Sequence, residues 1–361
     1  MHLGLMLECE YRTDAGDEQA FKDAFSLADA AERLGWDEVW LAERHFASAA
    51  RLEAGSSGGV PSFASAPLIM ASAIAGRTSR LHIGIAVSVL PLSHPVRLAE
   101  EVATLDQISH GRLDFGVGRS GFATAYKGYS IPYEESRQRF HECLEILEQA
   151  WTQESFSYSG EHYVFDDVAL VPKPVQKPYP PIRIAATTTD TFPQVGEAGY
   201  PIFVGLRGTD VPETARHLAI YRDAWHRAGH PGDGDVYLRI PVYVAETAEA
   251  AYDEPRESTL QSYRRLADSY ARSASDAGVT SSEERAARGD RLHSAGYDEL
   301  LRNRLAYGTP ETVSQRLQQI RDELGLTGFI VEPNVGGSIP RDRVMRSVTL
   351  FAKEVAPSLR S

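Results

Sequence analysis

Short apolar runs alternate with longer segments whose apolar residues recur every three or four positions along nearly the whole chain. HLGLML precedes a helical stretch from about Glu18 to Leu34, and DEVWLA precedes one from about Ala66 to Thr78. LHIGIAV leads into a helix in which Leu98, Val102, Leu105 and Ile108 form the apolar face, with Ser93 as N-cap, Pro95 in the first turn and Gly111 as the stop. LDFGV, short and apolar as a strand covered on both faces should be, precedes Glu134–Trp151. PIRIAA precedes Asp190–Ala198, PIFVG precedes Val211–Ala228, YLRIPVYVA precedes later helices, and GFIVEP precedes Arg341–Val355. Eight such units favour an α/β fold of the (β/α)8 TIM barrel type over a six-strand open sheet with extra elements.

Three stretches break the rhythm. Ala47–Ser65 is rich in Gly, Ser and Ala, and Phe156–Pro181 reads as a hairpin followed by a Pro-rich approach to the fifth strand. Tyr252–Tyr307 is long, charged and helix-permissive, either a mobile cover over a site or a plain surface insertion. One barrel domain over residues 1–361 carrying this insertion is the expected organisation.

Composition narrows the function classes. A formal charge of −13 without a basic stripe argues against a nucleic-acid surface. Cys9 and Cys143, far apart in a chain of 361 residues, make neither a disulfide framework nor a zinc site and read as buried thiols. MHLGLMLECE lacks the basic region and cleavage site of a signal peptide, and no apolar run has membrane length, so a cytoplasmic protein is expected.

The glycines after the fourth strand spell G-x-G-x-x-G (Gly116, Gly118, Gly121). A dinucleotide fingerprint should open directly into an apolar helix and meet an acid about 20 residues later at the end of a strand. FATAYKGYSIPYEES intervenes instead, and Glu134 and Glu135 begin a helix, so the chain shows no convincing nicotinamide site. The unusual residues fall where barrel enzymes place their chemistry, at the C-terminal ends of the strands. Glu43-Arg44-His45-Phe46 follows the second strand, Ala86-Val87-Ser88 the third, Gly118-Arg119-Ser120-Gly121 the fourth, Thr187–Thr191 the fifth and Glu332-Pro333-Asn334 the eighth. His45 is a base, a hydrogen-bond partner or a satisfied structural histidine. Thr187–Thr191 offer hydroxyls and a helix N-terminus to an anion, or simply cap that helix. Arg119 suits a phosphate there, while Arg137 reaches the same phosphate or pairs with Glu134.

GWDEVWLAERHF (Gly35–Phe46), HIGIAVSVLPLSHPVRLAEEVATLDQISHGRLDFGVGRSG (His82–Gly121) and YGTPE (Tyr307–Glu311) resemble the bacterial luciferase family of flavin-dependent monooxygenases, and the similarity spans nearly the whole chain. The resemblance implies a (β/α)8 barrel with FMN across its mouth. The flavin phosphate would be held by Arg119, by Arg137 and by the backbone and side chains of Thr187, Thr188 and Thr191. A non-proline cis peptide at Ala86-Val87 would lie beneath the ring. Reduced FMN would arrive as a co-substrate from a separate NAD(P)H-dependent reductase and form a flavin hydroperoxide with O2. One oxygen atom would then pass to a small organic substrate, with His45 moving a proton or orienting the peroxide. A homodimer packed through early barrel helices is also implied. Two positions depart from luciferase: Arg44 stands where it has the first of two adjacent histidines, and Gly118 where it has a reactive cysteine. These departures argue against light emission from a long aldehyde. Rival readings are a deazaflavin-dependent hydride-transfer enzyme of the same fold and a non-catalytic flavin-binding partner subunit.

Overall fold

The computed structural model describes residues 1–10, 16–46, 62–274 and 282–360. Eight strands form its centre: β1 (His2–Leu7), β2 (Glu38–Leu41), β3 (His82–Val89), β4 (Leu113–Gly118), β5 (Ile182–Ala185), β6 (Ile202–Gly205), β7 (Val236–Val244) and β8 (Gly328–Glu332). Each pairs in parallel with its neighbour in chain order, and β8 returns to β1, so the sheet closes into the expected (β/α)8 barrel and the open-sheet alternative is overturned. The helices that wrap it are α1 (Asp17–Leu34), α2 (Pro67–Ala75), α3 (Pro95–Ser109), α4 (Ser136–Thr152), α5 (Thr191–Ala198) and α6 (Val211–Arg227), then α7 (Arg256–Ser273), α8 (Ser282–Ser294), α9 (Pro310–Leu324) and α10 (Arg341–Leu350). A hairpin of Phe156–Ser159 and Val164–Val168 stands where the sequence predicts one.

The strand period of two sorts the side chains. Leu3, Leu5 and Leu7 point outward into the main core beneath the helices, while Met6, Trp40, Phe203, Tyr237 and Ile330 fill the barrel interior. Trp40 takes so much of that interior that its neighbours must be glycine: a Cβ on Gly84 would lie 2.1 Å from its ring, and one on Gly4 2.4 Å. Cys9 and Cys143 are buried free thiols, as expected.

The third helix departs from its sequence reading at both ends. His94 rather than Ser93 occupies the N-cap, without a side-chain cap, and the helix stops at Ser109 because His110 adopts left-handed backbone at φ 56° ahead of Gly111 at 78°. Ile108, assigned to the apolar face, is 46% exposed, whereas Leu98, Val102 and Leu105 are buried. The insertion between β7 and β8 is helical, with α7 and α8 packed on each other around Tyr263, Leu266 and Leu292. No helix among the described residues is long and apolar enough to cross a membrane.

The N-terminal end of the barrel is closed by polar residues. Arg183 bridges Asp114 at 3.2 Å and Asp235 at 2.6 Å over the Tyr237 ring. Beside them Glu38, fully buried, meets His2 Nε2 at 2.9 Å. Burial, with Asp114 adding to it, pushes the Glu38 carboxyl well above its ordinary range, and burial lowers His2 to about 4. Both shifts favour the neutral forms, in which the Glu38 hydroxyl donates to the imidazole. A carboxyl held protonated by the fold withdraws stability as pH rises from the ordinary carboxylate range through its folded pKa. Glu38→Gln retains a donor toward His2 and has no proton to lose. It is expected to melt above the wild type at about pH 8, with the gap closing toward about pH 5. Parallel melting curves across that range would show that Glu38 is not held neutral.

Candidate active site

A cavity of about 520 Å³ opens at the C-terminal ends of the strands, with wall residues from β3 through β8 and from the loop after β2. It continues between α4 and α5, where Arg137, His141 and Leu144 face Thr191, Gln194 and Ala198. Seven of the eight predicted site residues line it: Ala86, Val87, Arg119, Arg137, Thr187, Thr188 and Thr191. They come from four places in the sequence, brought to one rim by barrel closure.

At the edge near α4 and α5 the groups are donors. Arg119 Nη1 donates to Ser136 Oγ at 3.2 Å, and its guanidinium lies 5.9 Å from the Tyr133 ring centroid. Among the described residues no carboxylate pairs with it. The Arg119 carbonyl accepts from the Tyr126 hydroxyl, which anchors the loop. Arg137 lies 3.5 Å from Asp190, not from Glu134. Thr188 and Thr191 hydroxyls lie 3.0 Å apart, and no side chain caps α5, whose N-cap position is Asp190. The hydroxyls thus cluster beside an uncapped helix N-terminus, a setting that favours an anion.

The middle of the cavity is shaped by two backbone features. The Ala86-Val87 peptide is cis. Next to it a Cβ on Gly118 would come within 2.6 Å of Val87 Cγ2, so glycine at this position keeps the space above Val87 open.

His45 is not on this wall. It borders a separate depression with Ser88 and Tyr129, and its Nε2 lies 2.8 Å from Glu43 Oε1. Glu43 lines both spaces, and its other oxygen accepts from Ser88 Oγ at 3.2 Å and from the Val89 amide at 3.1 Å. The histidine therefore reaches the cavity only through Glu43.

Sequence reasoning placed Arg44 and Glu332 at the ends of strands but missed two groupings. The first crosses the barrel mouth: Arg44 Nη2 lies 3.2 Å from Glu8 Oε1, which also accepts from Arg239 Nη2. Arg239 Nε lies 3.0 Å from Glu332 Oε2, and Glu332 Oε1 lies 3.3 Å from Arg207 Nη1. Burial alone would raise the Glu8 carboxyl, but Arg44 and Arg239 outweigh it and hold the group down to about 2. The available signal was a single arginine at inward register in YLRIPVYVA, an otherwise apolar strand. The second group lies on α8 of the insertion. Arg285 donates to the Gly121 carbonyl, and Arg288 donates to the Thr187 carbonyl at 3.2 Å while pairing with Glu284 at 2.9 Å. One helix thus grips both donor-bearing loops. Nothing in the sequence of α8 announces this, because its partners are backbone carbonyls far away in the chain.

The donor edge suits a phosphate, and the glycine-widened centre suits a flat ring, so the residues present fit a flavin mononucleotide. Comparison with known proteins bears on the same point. Limonene 1,2-monooxygenase of Rhodococcus erythropolis is 28% identical over 363 residues, spanning 98% of this chain and 85% of that protein. Monooxygenase RslO1 from Streptomyces bottropensis superposes with a TM-score of 0.81 at 24% identity, over 99% of this chain and 100% of that one. The oxygenating constituent of 3,6-diketocamphane monooxygenase of Pseudomonas putida, in complex with FMN, superposes with a TM-score of 0.78 at 22% identity, over 99% and 98%. At such identities the two structures show the fold. The chain spans about half the length of the first curated relatives it matches. The family model of luciferase-like monooxygenases matches residues 1–328, and the chain belongs to that family.

Proposed function

We propose that this protein is an FMN-dependent monooxygenase acting on a small organic substrate, with reduced flavin supplied by a separate reductase. The observation that carries the reading is the gathering of Arg119, Arg137, Thr187, Thr188 and Thr191 on one edge of a cavity whose centre is opened by Gly118 beside Val87. When bound, reduced FMN would supply the electrons that split O2, one atom going to the substrate and the other to water.

The chain's own residues have four tasks in this reading. Arg119 and Arg137 bind the phosphate with charge-assisted hydrogen bonds, and the threonine hydroxyls complete its shell. Val87 and Gly118 set where the ring lies. Phe203, Val89 and Ile330 supply an apolar wall that keeps water from the reacting atoms. Glu43 presents a carboxylate to the cavity, and His45 is a positioning residue that orients Glu43 from behind. The absence of a dinucleotide fingerprint supports a separate reductase as electron source. The family resemblance is what supports a homodimer packed through the early barrel helices.

The test is to mix the protein with anaerobically reduced FMN, add oxygenated buffer and follow the flavin spectrum. Reoxidation is expected to be measurably slower than for free reduced FMN, because the site excludes water. Reoxidation unchanged by the protein would sink the reading. Tight binding of a deazaflavin with no oxygen consumption would replace it with hydride transfer.

A further inference from the structure

The charged chain Arg44–Glu8–Arg239–Glu332–Arg207 begins and ends on a cation, so three guanidiniums share two carboxylates. This surplus sits at the cavity of a chain whose overall charge is −13. Both Arg44 and Arg239 line the cavity, and because both donate to the same Glu8 oxygen their guanidiniums stand side by side there. Among the described residues the Arg44 side chain donates only through Nη2, and its buried Nε has no partner. A buried donor left unmade is costly, and an uncompensated buried charge more so.

Among the described residues the neighbouring charges do not cancel the surplus. Glu43 spends its oxygens on His45, Ser88 and Val89. Arg265 and Arg304, which crowd the Arg207 end, donate to the carbonyls of Gly336 and Thr209 rather than to carboxylates. Glu10 is held up at about 7 by burial and by Glu8 and Glu332, and it borders a different hollow with Asp23 and Arg341. The phosphate donors Arg119 and Arg137 belong to the edge near α4 and α5. The lining of the same cavity also has apolar side chains, Phe203, Val89 and Ile330 among them.

We propose that the organic substrate is an amphiphilic anion whose carboxylate or phenolate oxygen is bound by Arg44 beside Arg239, with its carbon body against the apolar wall. The proposal rests on the flavin reading above and adds the substrate class to it. Arg44 then determines specificity. Its guanidinium is a permanent cation that presents a planar fork to an oxyanion.

The test uses FMN-loaded protein titrated with two matched pairs, benzoate against benzamide and decanoate against decanamide, read by the change in flavin absorbance. Free FMN binding is measured first, so that a protein that does not bind FMN counts against the cofactor reading and not against this one. The anion of at least one pair is expected to bind more tightly than its amide. Arg44→Met is expected to weaken that anion by about 10- to 100-fold, leaving the amide unchanged, with Arg44→Lys in between. Glu8 keeps Arg239 as a partner in both variants, and thermal melts report whether they fold. Equal binding of anion and amide in both pairs overturns the proposal, as does an anion preference that survives in Arg44→Met. Binding of oxidised and reduced FMN to Arg44→Met separates the other source of negative charge. If only reduced FMN is weakened and the organic anions are not, Arg44 serves the reduced ring and the substrate assignment is overturned.

Discussion

Replacing Glu332 with alanine is expected to cost about 3–5 kcal/mol of folding stability. Glu332 is 1% exposed and is the carboxylate that separates Arg239 from Arg207. Its removal leaves two guanidiniums facing each other in a region that water enters poorly. The cost comes from that uncompensated charge and not from the intrinsic worth of an ion pair, since replacing a whole buried network by apolar groups is often neutral. A control separates the two effects. Asp223→Ala removes the exposed pair with Arg227, whose side chains are 68% and 70% exposed, and should change stability by no more than about 0.5 kcal/mol. Urea unfolding of both variants checks the contrast. Equal, small losses would show that the mouth cluster is well hydrated and would also weaken the case for an anion site at Arg44.

Arg119→Ala is expected to weaken FMN binding by roughly 2 kcal/mol, or about 30-fold, and to leave the fold intact. The side chain makes one hydrogen bond inside the protein, to Ser136 Oγ, and no ion pair among the described residues, so little structure depends on it. Its loop is held instead by the Tyr126 hydroxyl on the Arg119 carbonyl and by Arg285 on the Gly121 carbonyl, both of which survive the substitution. Arg119→Lys keeps the charge but not the fork and should recover part of the affinity. Fluorescence quenching of FMN on titration with protein measures all three. Unchanged affinity in the alanine variant would remove Arg119 from the cofactor site.

The legibility of the fold follows from how its information is stored. All eight barrel strands were readable as apolar runs, because a strand covered on both faces needs no partner to declare itself. Helix ends were read less well. Ser93 looked like a cap by composition, yet His94 holds that position, because capping is decided by local backbone angles that residue type only biases. Ile108 fits the apolar period of α3 but lies past the packed part of that face.

For the site, the divide runs between residues whose chemistry is local and residues whose role depends on distant partners. Arg119 and the threonine run sit directly after strands, so their place at the barrel mouth follows from the alternation of elements alone. His45 follows a strand in the same way, but one residue of register decides which way a side chain points, and the loop turns Arg44 into the cavity and His45 behind Glu43. Arg239, Glu8 and Glu332 each look like an isolated charge in or beside an apolar run. Their function as one network exists only after closure places β1, β7 and β8 side by side. The sequence by itself therefore determined the barrel, its working end and the phosphate-type donors, all of which rest on periodicity and local order. Tertiary structure alone decided which charges neutralise one another and which donors remain free for a ligand, because Coulomb energy and burial depend on distance in space and not along the chain.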